Sequence, residues 1–303
     1  MSKLECKFLG KSFKNPVILA SGTAAMGREI AEIYPLETLG GIALKGLTLN
    51  EKLGNSPPRV AETPGGMLNS VGLQNPGVDA FVAKDLPWLK NQDTNLIANI
   101  SGNTPEGYAE IAAKLDSGAV DFIEVNISCP NVKQGGIAFG ADPAAAASVV
   151  KSVKNATTTP ILVKLSPNVT EVSEIAKAVE AVGADAISMI NTLKGMRIDI
   201  NSRRPILKNN IGGLSGAAIF PVAVRMVSEV YRAVKIPIIG MGGITTANDA
   251  IEMMMAGASL VQIGTVLFQD LYAPKKICEG LEEFCARENL SNISEIVGAV
   301  NLW

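Results

Sequence analysis

Residues 236–265 read IPIIGMGGITTANDAIEMMMAGASLVQIGT, and the fold follows from this stretch. Two short apolar runs, Ile236–Ile239 and Leu260–Ile263, enclose a segment with helical spacing of its apolar residues. Thr246 with Asp249 three residues later has the form of a capping box, and Gly257 suits the helix end. Each apolar run leads into glycine, first Gly240-Met241-Gly242-Gly243-Ile244 and then Gly264-Thr265.

The same unit recurs towards the N-terminus. Further apolar runs lie at Val17–Ala20, Ile42–Lys45, Leu96–Ile100, Phe122–Asn126, Ile161–Lys164 and Ala186–Ile190. Their apolarity is continuous rather than alternating, which predicts strands covered on both faces, as in a parallel sheet. Helical patterns fall between them. Thr104-Pro105 offers an N-cap and N1 proline ahead of Tyr108, Ile111, Ala112 and Leu115. Asp142-Pro143 repeats the device before Val149, Val150 and Val153, and Thr170 precedes Val172, Ile175, Ala176 and Val179. Eight alternations predict an α/β fold, a TIM (β/α)8 barrel spanning 1–303 as one domain; an open doubly wound sheet is the competing arrangement. Two insertions, Gly46–Thr94 and Thr192–Lys235, follow the second and sixth strands. Loops after barrel strands lie on the catalytic face, so these are expected to cover a substrate.

Composition narrows the chemistry. The 303 residues are 47% hydrophobic with net charge −2, which indicates a packed interior and gives no basic surface for nucleic acid. Histidine is absent, so proton transfer falls to other side chains and His-ligated metals are excluded. The cysteines Cys6, Cys129, Cys278 and Cys285 form no CxxC pair, which argues against a disulfide framework or an iron–sulfur site, and no metal is expected. The N-terminal stretch lacks the apolar core of a signal peptide, and no run of 18 apolar residues offers a membrane span; a cytoplasmic protein is expected.

The chemistry-bearing residues cluster at strand ends. The paired glycine loops after strands seven and eight suit a phosphate, gripped by backbone N–H groups and the start of a short helix, although tight turns alone would explain either loop. They are not a Rossmann fingerprint. Lys45 in IALKG and Lys164 in ILVKLSPN each end an apolar run, placing an ammonium at the barrel mouth. Asn69, Asn99, Asn126 and Asn191 offer uncharged donors and acceptors for a planar polar ligand or a carboxylate. Cys129 lies in the polar loop of VNISCPNVKQGG, where a thiolate is a credible proton acceptor and packing a weaker explanation.

Four stretches together carry a resemblance: TPGGMLNSVGLQNPGV (63–78), VNISCPNVKQGG (125–136), NTLKGMRIDINSRRPIL (191–207) with GGLSG (212–216), and IPIIGMGGI (236–244). Over nearly its whole length the chain resembles the dihydroorotate dehydrogenases, specifically the catalytic subunit of the NAD-linked type of the soluble class 1 family (class 1B). The resemblance implies one FMN per chain and oxidation of (S)-dihydroorotate to orotate in pyrimidine biosynthesis. Cys129 would remove the C5 proton while hydride passes from C6 to flavin N5; a cysteine rather than a serine points to the soluble class. Lys45, Asn69, Gly72, Leu73, Asn126, Asn191 and Thr192 match orotate-contacting positions. Ser21, Lys45, Gly46, Asn99, Asn126, Lys164, Ile190, Gly216, Gly242, Gly243, Gly264 and Thr265 match flavin-contacting ones, with Lys164 stabilising anionic reduced flavin.

GLQNPG (72–77) and the insertion at 191–207 look like the NAD-linked type. That implies a partner subunit carrying FAD and a [2Fe-2S] cluster, on a dimer of catalytic chains within a heterotetramer. A fumarate-reducing relative working without a partner is the nearest alternative. A flavin-free phosphosugar isomerase or aldolase barrel and a non-catalytic binding protein are more distant ones. One departure stands out. The family usually has SGTFG after the first strand, whereas this chain reads Ser21-Gly22-Thr23-Ala24-Ala25, which is expected to affect affinity or stability rather than abolish activity.

Overall fold

A computed structural model describes residues 2–116, 118–128 and 136–303. Eight parallel strands close into a barrel: β1 (Val17–Leu19), β2 (Gly41–Ala43), β3 (Asn95–Ile100), β4 (Phe122–Asn126), β5 (Ile161–Lys164), β6 (Ala186–Met189), β7 (Ile238–Met241) and β8 (Ala258–Ile263). Neighbours in sequence are neighbours in space, and closure comes where Val261, Gln262 and Ile263 pair with Val17, Ile18 and Leu19. The barrel is the predicted TIM arrangement, and the open sheet is excluded by that closing pair. Most strand residues are buried on both faces, as their unbroken apolarity requires.

The strand limits move by up to two residues from the sequence reading. The seventh strand starts at Ile238 because its ladder with β6 begins at Ile187 opposite Ile238. The second ends at Ala43, yet Leu44 and Leu47 still donate to the Ile97 and Asn99 carbonyls, so Lys45 and Gly46 remain on the barrel rim.

The longer helices are α1 (Val78–Lys84), α2 (Pro105–Lys114), α3 (Pro143–Ala156), α4 (Val172–Ala181), α5 (Phe220–Ala233), α6 (Ala247–Met255) and α7 (Ala273–Arg287). The Thr104 hydroxyl accepts from Gly107 N at 3.1 Å and the Asp142 carboxylate from Ala145 N at 2.7 Å. Each such cap contributes about 1 kcal/mol. The Thr246–Asp249 capping box forms reciprocally, and Gly257 follows with φ 127°. At α4 the N-cap is Glu171, one residue beyond Thr170, and its side chain makes no capping bond.

The bottom of the barrel is closed by a hairpin, Cys6–Phe8 with Lys11–Phe13. Phe8, Phe13 and Phe122 pack there with ring centroids 5.8–6.1 Å apart. At the opposite end the two long insertions meet. Val60–Thr63 and Gly66–Asn69 from the first join Leu193–Gly195 and Gly212–Ser215 from the second in a four-stranded antiparallel sheet, with Asn69 opposite Gly213. No helix among the described residues is long and apolar enough to cross a membrane.

Ala25 adopts φ 47°, the left-handed region that favours glycine. It is one of the two alanines that depart from the family's SGTFG. Ala25→Gly relieves that strain and adds unfolded-state entropy, for an expected net gain of about 0.5–1 kcal/mol. Thermal unfolding should show a rise of about 1–3 °C; a lower midpoint would contradict the strain.

Candidate active site

A cavity of about 1340 Å³, counting its open mouth, lies at the C-terminal ends of the strands beneath the four-stranded sheet. The structure brings every described residue matched to a substrate- or flavin-contacting position into its lining. Ser21 follows β1, Lys45 and Gly46 follow β2, and Asn99, Asn126 and Lys164 sit at the ends of β3, β4 and β5. Ile190, Asn191 and Thr192 follow β6, Gly242 and Gly243 follow β7, and Gly264 and Thr265 follow β8. Asn69, Gly72, Leu73 and Gly216 descend from the covering insertions. Cys129 lies outside the described residues, immediately after Ser128.

The register explains this convergence. Asn99 pairs with Glu124 across β3 and β4, and Asn126 pairs with Lys164 across β4 and β5. Glu124 and Asn126 are two residues apart and therefore share the inner face of their strand. Asn126 Nδ2 donates to Asn99 Oδ1 at 3.3 Å, and Asn126 Oδ1 accepts from Ser128 Oγ at 3.1 Å and Asn191 Nδ2 at 3.4 Å. Asn191 Nδ2 also reaches Ser128 Oγ at 2.8 Å. From outside the barrel, the Tyr108 hydroxyl of α2 donates to the Asn126 carbonyl at 2.8 Å and fixes the end of β4.

Two residues that sequence reasoning passed over complete the floor. Glu124 is fully buried; its Oε2 accepts from Asn99 Nδ2 at 2.5 Å and faces Lys164 Nζ at 3.5 Å. Its Oε1 accepts from Gln262 Nε2 of β8 at 3.1 Å. Lys164 Nζ donates in turn to Ser21 Oγ at 3.2 Å. A carboxylate in the middle of FIEVN and an amide in the middle of LVQIG were the signals available, since a strand buried on both faces admits polar side chains only with partners. Asn168 was also passed over. It donates to the Thr192 carbonyl at 2.9 Å and accepts from Lys194 N at 2.8 Å, tying the covering sheet to the loop after β5.

Among the described residues that line the cavity, Lys45 and Lys164 are positive and none is acidic; Glu124 beneath the lining offsets Lys164, so the charge that suits an anionic group is that at Lys45. Several of the lining glycines are required by space. A Cβ on Gly46 would lie 2.7 Å from Asn99 Oδ1. Gly243, at φ 80°, lies against Gly216 O and Phe220 N, each 2.8 Å from where its Cβ would be. The loop after β7 therefore packs on the turn that ends the covering sheet. The fit to a large planar phosphorylated ligand rests on one further atom: Gln262 Oε1 is buried without a hydrogen-bond partner, an acceptor that a ring N–H would satisfy.

The other cysteines stand apart from the cavity: Cys6 on the bottom hairpin, Cys278 and Cys285 on α7. Burial, assisted by Cys285 and Glu5, pushes the Cys6 thiol up to about 12; burial, with Glu282 and Glu279, does the same for Cys278. About one molecule in 10⁴–10⁵ then carries either thiolate at neutral pH. Brief alkylation of the native protein at pH 7.5, read by mass spectrometry, should leave both unmodified; stoichiometric labelling of either would contradict their placement.

Comparison with known proteins agrees with this architecture. The family model described as dihydroorotate dehydrogenase matches residues 3–285. A protein of Geobacter sp. (strain M21), named dihydroorotate dehydrogenase B (NAD(+)), catalytic subunit, is 55% identical over 97% of this chain and 96% of its own. Proteins of the same name from Citrifermentans bemidjiense and Thermoanaerobacter pseudethanolicus are 54% and 52% identical, the latter over 99% of both chains. On the family match and near full-length identity, the chain belongs to the dihydroorotate dehydrogenase family.

Proposed function

We propose that this chain binds FMN in the cavity and oxidises (S)-dihydroorotate to orotate in cytoplasmic pyrimidine biosynthesis, with electrons leaving through a partner subunit to NAD+. The observation that carries the reading is the convergence of Lys45, Lys164, the asparagine cluster and two glycine loops on one cavity, in a chain of this family.

When bound, FMN supplies the two-electron acceptor that the side chains cannot. The loops at Gly242-Gly243 and Gly264-Thr265 would take its phosphate through backbone N–H groups, and Gly216 lets the covering sheet approach. Lys164, held by Glu124 and Ser21, places fixed positive charge where negative charge develops on reduction. Ser21, Gly46, Asn99 and Ile190, which line the same cavity, would complete the flavin's surroundings, and Lys45 and Asn126 would contact both ligands. Asn69, Asn126, Asn191 and Thr192, with the Gly72-Leu73 turn, orient the substrate and exclude water beneath the covering sheet. Cys129 would accept the C5 proton of dihydroorotate, and FMN held by these residues would supply the acceptor for the hydride leaving C6 as the C5=C6 double bond forms.

The relatives are named as catalytic subunits. For this chain the reading implies a heterotetramer: a dimer of these chains with two electron-transfer subunits that carry FAD and [2Fe-2S]. Cys129→Ser should slow flavin reduction at neutral pH about 10²-fold or more while leaving FMN bound; unchanged kinetics would remove Cys129 from the base role. Lys164→Ala should release FMN or slow its reduction, and a fully yellow, fully active variant would contradict that assignment. Turnover with NAD+ should require the partner, whereas efficient turnover of the isolated chain with fumarate would overturn the acceptor.

A further inference from the structure

We infer that Glu124 is a positioning residue: its carboxylate fixes which edges of Asn99 and Gln262 face the bound flavin and so sets the flavin's affinity and reduction potential. The inference rests on the FMN reading above and deepens it. Glu124 belongs to β4 and Gln262 to β8, four strands away in an eight-stranded barrel, so their 3.1 Å hydrogen bond crosses the barrel. Lys164 of β5 reaches Ser21 beyond β1 in the same way. These two crossings make the cavity floor a polar layer where a barrel is ordinarily filled by branched apolar side chains.

The donor–acceptor logic of that layer has one origin. A carboxylate offers only acceptors. Asn99 and Gln262 must therefore both turn their amide NH2 groups toward Glu124, and both do. Their carbonyl oxygens are left pointing away from it. Asn99 Oδ1 accepts from Asn126, which commits Asn126 Oδ1 to accepting from Ser128 and Asn191. Gln262 Oε1 is left buried, without a partner, in the cavity lining. One charge thus orients a chain of amides and presents an acceptor to the ligand. The same charge offsets Lys164, whose side chain is 6% exposed.

Glu124→Gln keeps the shape and removes the charge. A glutamine can donate as well as accept, so Asn99 and Gln262 lose the reason for a single orientation. Lys164 also loses its counter-charge. Both changes favour the more electron-rich reduced flavin, so the potential should move in one direction, upward.

The test compares purified wild-type, Glu124→Gln and Gln262→Leu chains by FMN titration of the apoprotein, followed by spectroelectrochemistry of the bound flavin. Expected are about tenfold weaker FMN binding in both variants and a more positive potential in Glu124→Gln. Gln262→Leu removes the acceptor edge and the hydrogen bond to Glu124 Oε1 but leaves the Glu124–Lys164 pair, so it carries the test if Glu124→Gln does not fold. Wild-type affinity in Gln262→Leu, or wild-type affinity and potential in a folded Glu124→Gln, would overturn the inference while leaving the FMN reading intact. A wild-type apoprotein that takes up no FMN would overturn both.

Discussion

The hydrogen bond between Glu124 and Gln262 joins opposite walls of the barrel, and the organisation of the site depends on it. Below it the interior is apolar and sealed by Phe8, Phe13 and Phe122. Above it every strand end presents a polar or glycine residue. A buried carboxylate and ammonium are costly to desolvate, and a pair 3.5 Å apart would offset that poorly alone. Asn99, Gln262 and Ser21 supply the remaining hydrogen bonds. Such a layer is weak evidence for extra stability, and its better explanation is a fixed electrostatic surface beneath a ligand.

The cover over this floor comes from the chain's two longest insertions. Neither could form its sheet alone, since Val60–Thr63 and Gly66–Asn69 make a two-stranded hairpin that is marginal in isolation. Pairing with Gly212–Ser215 and Leu193–Gly195 gives four strands, anchored at one end by Asn168 and at the other by Gly243 against Gly216. Because Asn69 belongs to this sheet and Asn126 to the barrel, the candidate substrate site exists only when cover and barrel are together.

Much of this was legible in the sequence for a simple reason. Parallel strands buried on both faces leave unbroken apolar runs, and the residue that ends each run is placed on the catalytic face by topology alone. Lys45, Asn99, Asn126, Lys164 and Asn191 were readable on that basis, Asn69 as an amide in the long second loop, and the family resemblance added Gly72, Leu73 and Gly216. The covering sheet was not readable as strands, because GGMLN and GGLS are short, glycine-rich and without alternation. The bottom hairpin, with strands of three residues, gave no periodic signal either. Glu124 and Gln262 stand out only as polar residues inside apolar runs, a signal that they need partners but not which ones. Their roles depend on contacts between strands far apart in sequence, which no local pattern encodes.

In the proposed function one cavity holds a flavin and a dihydropyrimidine carboxylate in reacting order. Anaerobic mixing of the purified chain with dihydroorotate, followed in the visible spectrum, tests it most directly. A yellow protein is expected, its flavin absorbance bleaching rapidly as orotate forms, without the partner subunit. A colourless protein, or a flavin that stays oxidised under saturating dihydroorotate, would contradict it.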